Sequence, residues 1–359
     1  MPYLAAPGAP PALQASANTF SQPVQQATPT TSVGQHPAAP AGPQPGAVAA
    51  RPLAAAPNVQ AALNQMVHTA APRQDSVLSL LSAMTAIAGK VAVPEPVAKA
   101  MQQVLAQRVP LDGPRVDGTV LQKAVQQSGI FQEALIASGQ ARGAAGDMKS
   151  SLLSLQRQLL SWLGNQAEVE QVSSLAPPVR GQVPRAKPNV AAPRSLPLEP
   201  LDAGKVLLER TDAALSRLRL HQNASLPEPA ARQDGAQWSL DLPVLMAGQQ
   251  ALLHMQIHRD PDKEDGRPED RGWQVKFAMH LDEVGEVGAQ ISLRAGTAGV
   301  LIWADRADTA AMLSANLDGL RAGLAEVGLA PSSVLVRAGT PAAPPQVPSA
   351  AGHFVDATR

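Results

Sequence analysis

The chain has 359 residues, 29 basic side chains balanced by 29 acidic ones, no cysteine and only 3% aromatic residues. Zero net charge gives no global electrostatic pull toward nucleic acid or anionic membrane. The missing cysteines exclude disulfides, thiolate catalysis and cysteine-ligated metal. Low charge and few aromatics predict one compact domain near the C-terminus and a long, poorly ordered remainder.

Residues 1–57 are rich in Ala, Pro, Gln, Gly and Thr and carry twelve of the 34 prolines. Such a segment buries too little surface to offset the entropy of ordering it, which predicts disorder: an export or recruitment segment, or a spacer. Its start, MPYLAAPGAPPAL, has no basic stretch leading into an apolar one, so no cleaved secretory signal is expected. No run of about 18 apolar residues follows anywhere, and no membrane insertion is expected.

Residues 58–164 read as separate amphipathic helices, loosely packed. Leu63, Met66 and Val67 make one short face. Asp75 is placed to cap a helix carrying Val77, Leu78, Leu81, Met84 and Ile87. Val97, Met101, Val104 and Leu105 continue after Pro94 and Pro96, and Leu121, Val125, Phe131 and Leu135 follow. Asp147 is the cap for Leu152, Leu155, Leu159 and Trp162, and Gly164 is the stop. Residues 165–200 form a proline-rich linker punctuated by Arg180, Arg185, Lys187 and Arg194. Residues 201–236 hold one more helix, Leu201–Gln222, and a connector.

From residue 237 to 338 the period changes. Trp238, Leu240 and Leu242 alternate with polar residues, as do Leu253, Met255 and Ile257, which predicts two neighbouring antiparallel strands. The stretch from Arg259 to Gly272 is a charged loop. Trp273, Val275, Phe277, Met279 and Leu281 then alternate along a further strand. After a turn at Asp282–Glu286 come Val287, Ala289, Ile291 and Leu293, and a short strand at Val300–Ala304. Ala310, Leu313, Leu317, Leu320, Leu324 and Val327 recur at helical spacing from Asp305, a suitable N-cap, to Gly328, a suitable stop. Val334–Val336 returns to strand. The expected fold is α+β: a two-layer domain of five or six strands in a mixed sheet with the Asp305–Val327 helix packed on it. Its β-α-β crossover makes the flanking strands parallel. The candidate core is Trp273, Val275, Phe277, Ile291, Leu293, Leu313, Leu317, Leu320 and Leu324. Residues 339–359 are a flexible tail.

Little here points to chemistry. His254 and His258 fall on the polar side of one strand and His280 on that of another, without a carboxylate placed to complete a metal site. His258-Arg259-Asp260 imitates a kinase catalytic loop without its companions. No phosphate-binding glycine loop, nucleophile elbow or zinc-protease motif occurs. The acidic groups Asp282, Glu283, Glu286, Asp305 and Asp308 lie at turns and a helix start, where no apolar cleft would tune a carboxylate pair. No enzyme activity, cofactor, metal or nucleic-acid partner is expected.

The order of these pieces carries a resemblance. A tryptophan-led strand, L-D-x-V-G-x-V at Leu281–Val287, and a helix with L-x-x-L-R-x-x-L-x-x-x-G-L at Leu317–Leu329 resemble the C-terminal domain of flagellar hook-length control proteins (FliK-like). The pieces S-G-I-F-Q-E-A-L at Ser128–Leu135, D-M-K-S-S-L-L-S-L at Asp147–Leu155 and F-V-D at Phe354–Asp356 also look like that family. The resemblance implies an exported molecular ruler. It starts in the cytoplasm, passes through the flagellar type III apparatus among hook and hook-cap subunits, and ends at the hook. It also implies that the C-terminal domain meets the cytoplasmic domain of the export-gate switch protein (FlhB-like), turning export from rod and hook to filament subunits. Related injectisome rulers carry P-x-L-G where this chain has Asp282-Glu283-Val284-Gly285, so the proline is absent here. The implied partner contact is Leu281, Asp282, Val284, Gly285 and Val287. A non-flagellar scaffold, with a small α/β binding module on disordered linkers, is the alternative.

Overall fold

Alternation at Trp238–Leu242 and again at Leu253–Ile257 puts apolar side chains on one face of two long strands, which pair in register with Leu240 opposite Met255 and Trp238 opposite Ile257. The computed structural model describes residues 58–112, 118–139, 146–167, 175–186, 197–227, 235–246, 248–261 and 271–339. The expectations for residues 1–57, for the tail beyond 339, and for most of the charged loop after Arg259 lie outside the described residues.

Among the described residues seven strands form one mixed sheet in sequence order. They are β1 (Val109–Pro110), β2 (Ala236–Met246), β3 (Gln249–Arg259), β4 (Trp273–Leu281), β5 (Gly285–Arg294), β6 (Thr297–Ala304) and β7 (Ala330–Ala338). β2 to β6 are an antiparallel meander. β1 and β7 join the two edges in parallel. The crossover between β6 and β7 is the predicted β-α-β unit, and the fold class is α+β. The strand number exceeds the expected five or six because the two-residue β1 has no periodicity to display.

The predicted single helix after Asp305 is two: α8 (Ala307–Ala315) and α9 (Leu317–Glu326), separated at Asn316. Asp305 is not its cap; Arg306 holds that position without a capping side-chain bond. At the far end the Leu329 N–H returns to Leu324 O at 3.0 Å, closing the helix after Gly328 as expected.

Upstream, α1 (Val59–Ala70), α2 (Val77–Ile87), α3 (Glu95–Leu105), α4 (Gly118–Gln126), α5 (Gln132–Ala137), α6 (Met148–Leu163) and α7 (Pro200–Ala224) precede the long strands. Asp147 caps α6, accepting from Ser150 N at 2.7 Å. Ser76, rather than Asp75, caps α2, while Asp75 bonds the Ser76 N–H at 2.7 Å. Four of these helices, α2, α3, α6 and α7, are not loosely packed. Leu80, Leu81 and Met84 of α2, Val97 and Val104 of α3, Leu152, Leu155 and Leu159 of α6, and Leu207, Leu208 and Leu215 of α7 are buried in one cluster. Each stripe is too small to make a core by itself, but four stripes converge. α7, 25 residues long, lies at the seam, packing on α6, α2 and β2.

The sheet thus has two different faces. Leu240, Leu242, Val244, Leu253 and Met255 face a second cluster, closed by Leu121, Val125 and Ile130 from α4 and the segment after it. The opposite face of β3 sends Leu252 into the helical core. At the other edge α8 and α9 rest on β7. Val334 there is buried while Leu335 is 52% exposed, so these helices cover the Val334 side. The face carrying Leu240 is therefore covered at both ends and open over β4 and β5.

That geometry corrects the predicted core. Val275, Phe277, Ile291 and Leu293 lie on the open middle, and Leu313, Leu317, Leu320 and Leu324 on a helix pair laid over one edge; all are half-buried. Trp273 is 39% exposed at a strand end, where it stacks on Trp238 with ring centroids 6.4 Å apart and carries the Arg259 guanidinium 5.7 Å from its centre. The fully buried tryptophan is Trp303, whose ring crosses Gly288 on the neighbouring strand; a Cβ there would meet it at 2.3 Å.

Because the dense core is helical, Leu155→Ala is expected to lower stability by about 2–5 kcal/mol, and Leu317→Ala by less than half of that. Urea unfolding of the two variants gives the comparison.

Candidate functional site

The stretch Leu281–Val287 is the hairpin between β4 and β5. Leu281 pairs with Gly285, leaving Asp282, Glu283 and Val284 as the loop. Gly285 has φ +80°, a left-handed conformation that glycine adopts without steric cost. A side chain there would also collide with Asp305, whose Oδ1 lies 2.4 Å from an added Cβ. Asp282 and Glu283 are exposed, Leu281, Val284 and Val287 half-buried, and Gly285 buried. The five residues assigned to the partner contact are thus brought together at one tip, with two carboxylates outermost.

The loop is held from outside its own hairpin. Arg306 Nη1 donates to Glu283 O at 3.0 Å, and Thr309 Oγ1 donates to Val284 O at 2.8 Å. Asp305 N donates to Glu286 O at 3.0 Å. The start of α8 and the two residues before it therefore fix three carbonyls of the turn, those of Glu283, Val284 and Glu286. Arg306 also pairs with Asp308 at 2.8 Å, an exposed contact that adds little by itself. The Glu286 side chain, 6% exposed, is gripped by Arg185 through Nε at 3.0 Å and Nη2 at 3.1 Å, and accepts the Ala186 N–H at 2.9 Å. Arg185 and Ala186 belong to the proline-rich segment that the sequence marks as linker. In this way a loop without proline obtains its shape from neighbours.

A second constellation lies where the helical layer meets the sheet. Asp241 of β2, 8% exposed, receives Arg217 Nε at 3.0 Å on Oδ2 and lies 2.7 Å from His254 Nδ1 on Oδ1. His221 of α7 places Nε2 2.9 Å from Oδ2, outside hydrogen-bond geometry, and Nδ1 2.9 Å from Ser239 Oγ. Arg217 also reaches Gln74 Oε1 and Ala176 O. Burial would raise the Asp241 carboxyl, but His221, His254 and Arg217 together outweigh it and hold it well below the usual carboxylate range. Burial lowers His221 below its ordinary value, with Asp241 opposing. The histidines therefore need correcting: His254 is not simply an exposed strand histidine, because Asp241 directly across the β2–β3 pair meets it. His258 stays more open, 4.0 Å from Asp260, and His280 is half-buried. Period-two patterning could have paired Asp241 with His254; the arrival of His221 and Arg217 from a helix carries no such signal.

Beside this network a cavity of about 560 Å³ opens between α2, β2, β3 and residues 175–185. Its apolar lining includes Leu78, Leu252, Pro177, Pro178 and Pro184, and on its polar side Arg217 and His254 both meet Asp241. No group of three or more His, Asp or Glu among the described residues is arranged to hold a metal. No described helix is long and apolar enough to cross a membrane.

Residues 262–345 match the family model for the flagellar hook-length control protein FliK. No curated protein and no solved structure matches the chain.

Two outcomes follow from the geometry. Gly285→Ala must place a side chain in a left-handed turn against Asp305, and a loss of about 1–3 kcal/mol is expected in thermal or urea unfolding. For acid, Asp241 and His221 both bind protons less readily folded than unfolded. Their contribution is full above about pH 6.5, the ordinary histidine value, and is lost as pH falls through that value and then past the ordinary carboxylate range. The urea midpoint should drop steadily from pH 7 to 4. Asp241→Asn, which strands Arg217 in the seam, should cost about 3–5 kcal/mol at pH 7.

Proposed function

We propose that this chain, whose residues 262–345 match the family model for the flagellar hook-length control protein, is an exported ruler whose C-terminal domain switches type III export from rod and hook to filament subunits. The match at residues 262–345 is the observation that carries this reading. In it the protein starts in the cytoplasm and leaves through the flagellar apparatus in company with hook and hook-cap subunits. The β4–β5 tip then docks on the cytoplasmic domain of the export-gate switch protein.

Two physical features support the assignment. The tip presents exposed Asp282 and Glu283 over half-buried Leu281, Val284 and Val287 on a shape fixed by Gly285 and α8, so it is preorganised for a partner. The absence of cysteine leaves no cross-link to block threading. The fold also constrains the ruler. With the helical layer folded, residues 1–57 lead and reach at most about 190 Å extended at about 3.4 Å per residue. Extending residues 1–236 reaches roughly 800 Å, and this requires the helical core to open during transit.

Removing twenty residues within 1–57 is expected to shorten hooks by up to about 70 Å while filaments still form. Removing residues 273–336 is expected to give overlong hooks without filaments. Electron microscopy of isolated hook-basal bodies reads both, and normal filaments on the second deletion would overturn the switch assignment.

A further inference from the structure

The segment 175–186 is anchored at both ends to different layers. At its start Gln74 Nε2 donates to Leu175 O at 3.2 Å and Arg217 Nη1 to Ala176 O at 2.9 Å, from the helical side. Midway, Arg180 donates to Leu226 O at 2.9 Å and Gly235 O at 3.2 Å, where α7 passes to β2. At its end Arg185 and the Ala186 N–H hold the Glu286 carboxylate in four hydrogen bonds of 2.9–3.3 Å. Glu286 is the residue directly after Gly285, and its own carbonyl takes the Asp305 N–H. One buried residue, through its side chain and its carbonyl, thus ties together the β4–β5 turn, the residues before α8 and a strap anchored on α7 and the segment before α2.

We infer that residues 175–186 are a latch that couples the folded state of the helical layer to the shape of the β4–β5 turn, with Glu286 as the positioning residue and Arg185 as its clamp. Gln74 and Arg217 reach the strap only from a folded helical layer, because they come from sequence positions 143 residues apart and meet each other there at 3.0 Å. If that layer opens, the strap loses its anchors. A freed strap takes Arg185 and the Ala186 N–H with it, and a carboxylate buried for pairing is left without its cation. Such a group must move toward water, and the adjoining Gly285 and the Glu286–Asp305 bond move with it. Opening of the helices is thereby reported at the tip. The consequence for export rests on the tip being the switch contact; the latch itself does not.

Hydrogen exchange on the full-length protein tests it. Arg185 is half-exposed, so Arg185→Ala leaves the packed core in place. Amides at 281–287 and 305 are expected to exchange roughly ten- to hundredfold faster in this variant, the range set by losing a charge-assisted bond, while peptides across 77–87 stay unchanged. Leu155→Ala, which loosens the helical layer without touching the strap, should also accelerate 281–287 relative to 297–304. Unchanged exchange at 281–287 in either variant overturns the latch. In cells, Arg185→Ala is expected to broaden the hook-length distribution. Faster exchange with an unaltered distribution would support the latch and overturn the tip as switch contact.

Discussion

One step along β2, from Leu240 to Asp241, decides what each side of this molecule becomes. Pleating sends the two side chains to opposite faces. The Leu240 face meets only apolar neighbours and closes under α4. The Asp241 face is covered by α7 and α2, so a carboxylate had to be buried where two layers join. It is tolerable there only because Arg217, His254 and His221 converge on it. Such a network stabilises less than an apolar seam of the same size would, yet it is unforgiving of partial assembly. The helices and the sheet therefore close in one particular alignment, and the strap 175–186, which borrows Arg217, depends on that alignment too.

Where the sequence was legible, the reason is period. β2 to β6 announce themselves by strict alternation, and the β6–β7 crossover by a change to helical spacing ending at Gly328. The hairpin tip was legible as well, since Gly285 marks a left-handed turn. What could not be read was convergence. Leu81, Val104, Leu155 and Leu208 belong to four helices spread over more than a hundred residues, and each stripe alone is indistinguishable from a marginal surface helix. Trp273 misleads for the complementary reason. Its alternation is perfect, but burial depends on what lies opposite, and neither α4 nor the α8–α9 pair packs on β4. Glu286 looked like one more turn carboxylate because Arg185, a hundred residues upstream in a proline-rich run, gives no periodic hint of its destination.

The turn also shows how a lost local constraint is replaced by distant ones. A proline would stiffen the loop from within by fixing φ. Here Asp282 stands at that position, and the stiffness comes from Arg306, Thr309 and Asp305 outside the hairpin and from Arg185 beyond them. An internally fixed loop keeps its shape whatever surrounds it. An externally fixed loop keeps its shape only while its neighbours hold, which makes it conditional on the rest of the fold.

Under the proposed export, that conditionality bears on a chain that has to be both folded and threadable. A dense helical core argues for a stable globule, and export argues against one. The two demands are compatible if stability is concentrated in contacts that fail together. The seam has that character: Arg217 serves Asp241, Gln74 and Ala176 at once, so displacing α7 breaks the ion network and the strap anchor in a single event. Shared residues of this kind make energies non-additive and opening cooperative. A chain built so does not fray gradually from its helices toward its sheet. It holds as one body until the seam parts, and then yields a long stretch at once, while the meander β2–β6, whose pairing is local in sequence, keeps the hairpins needed to reassemble it.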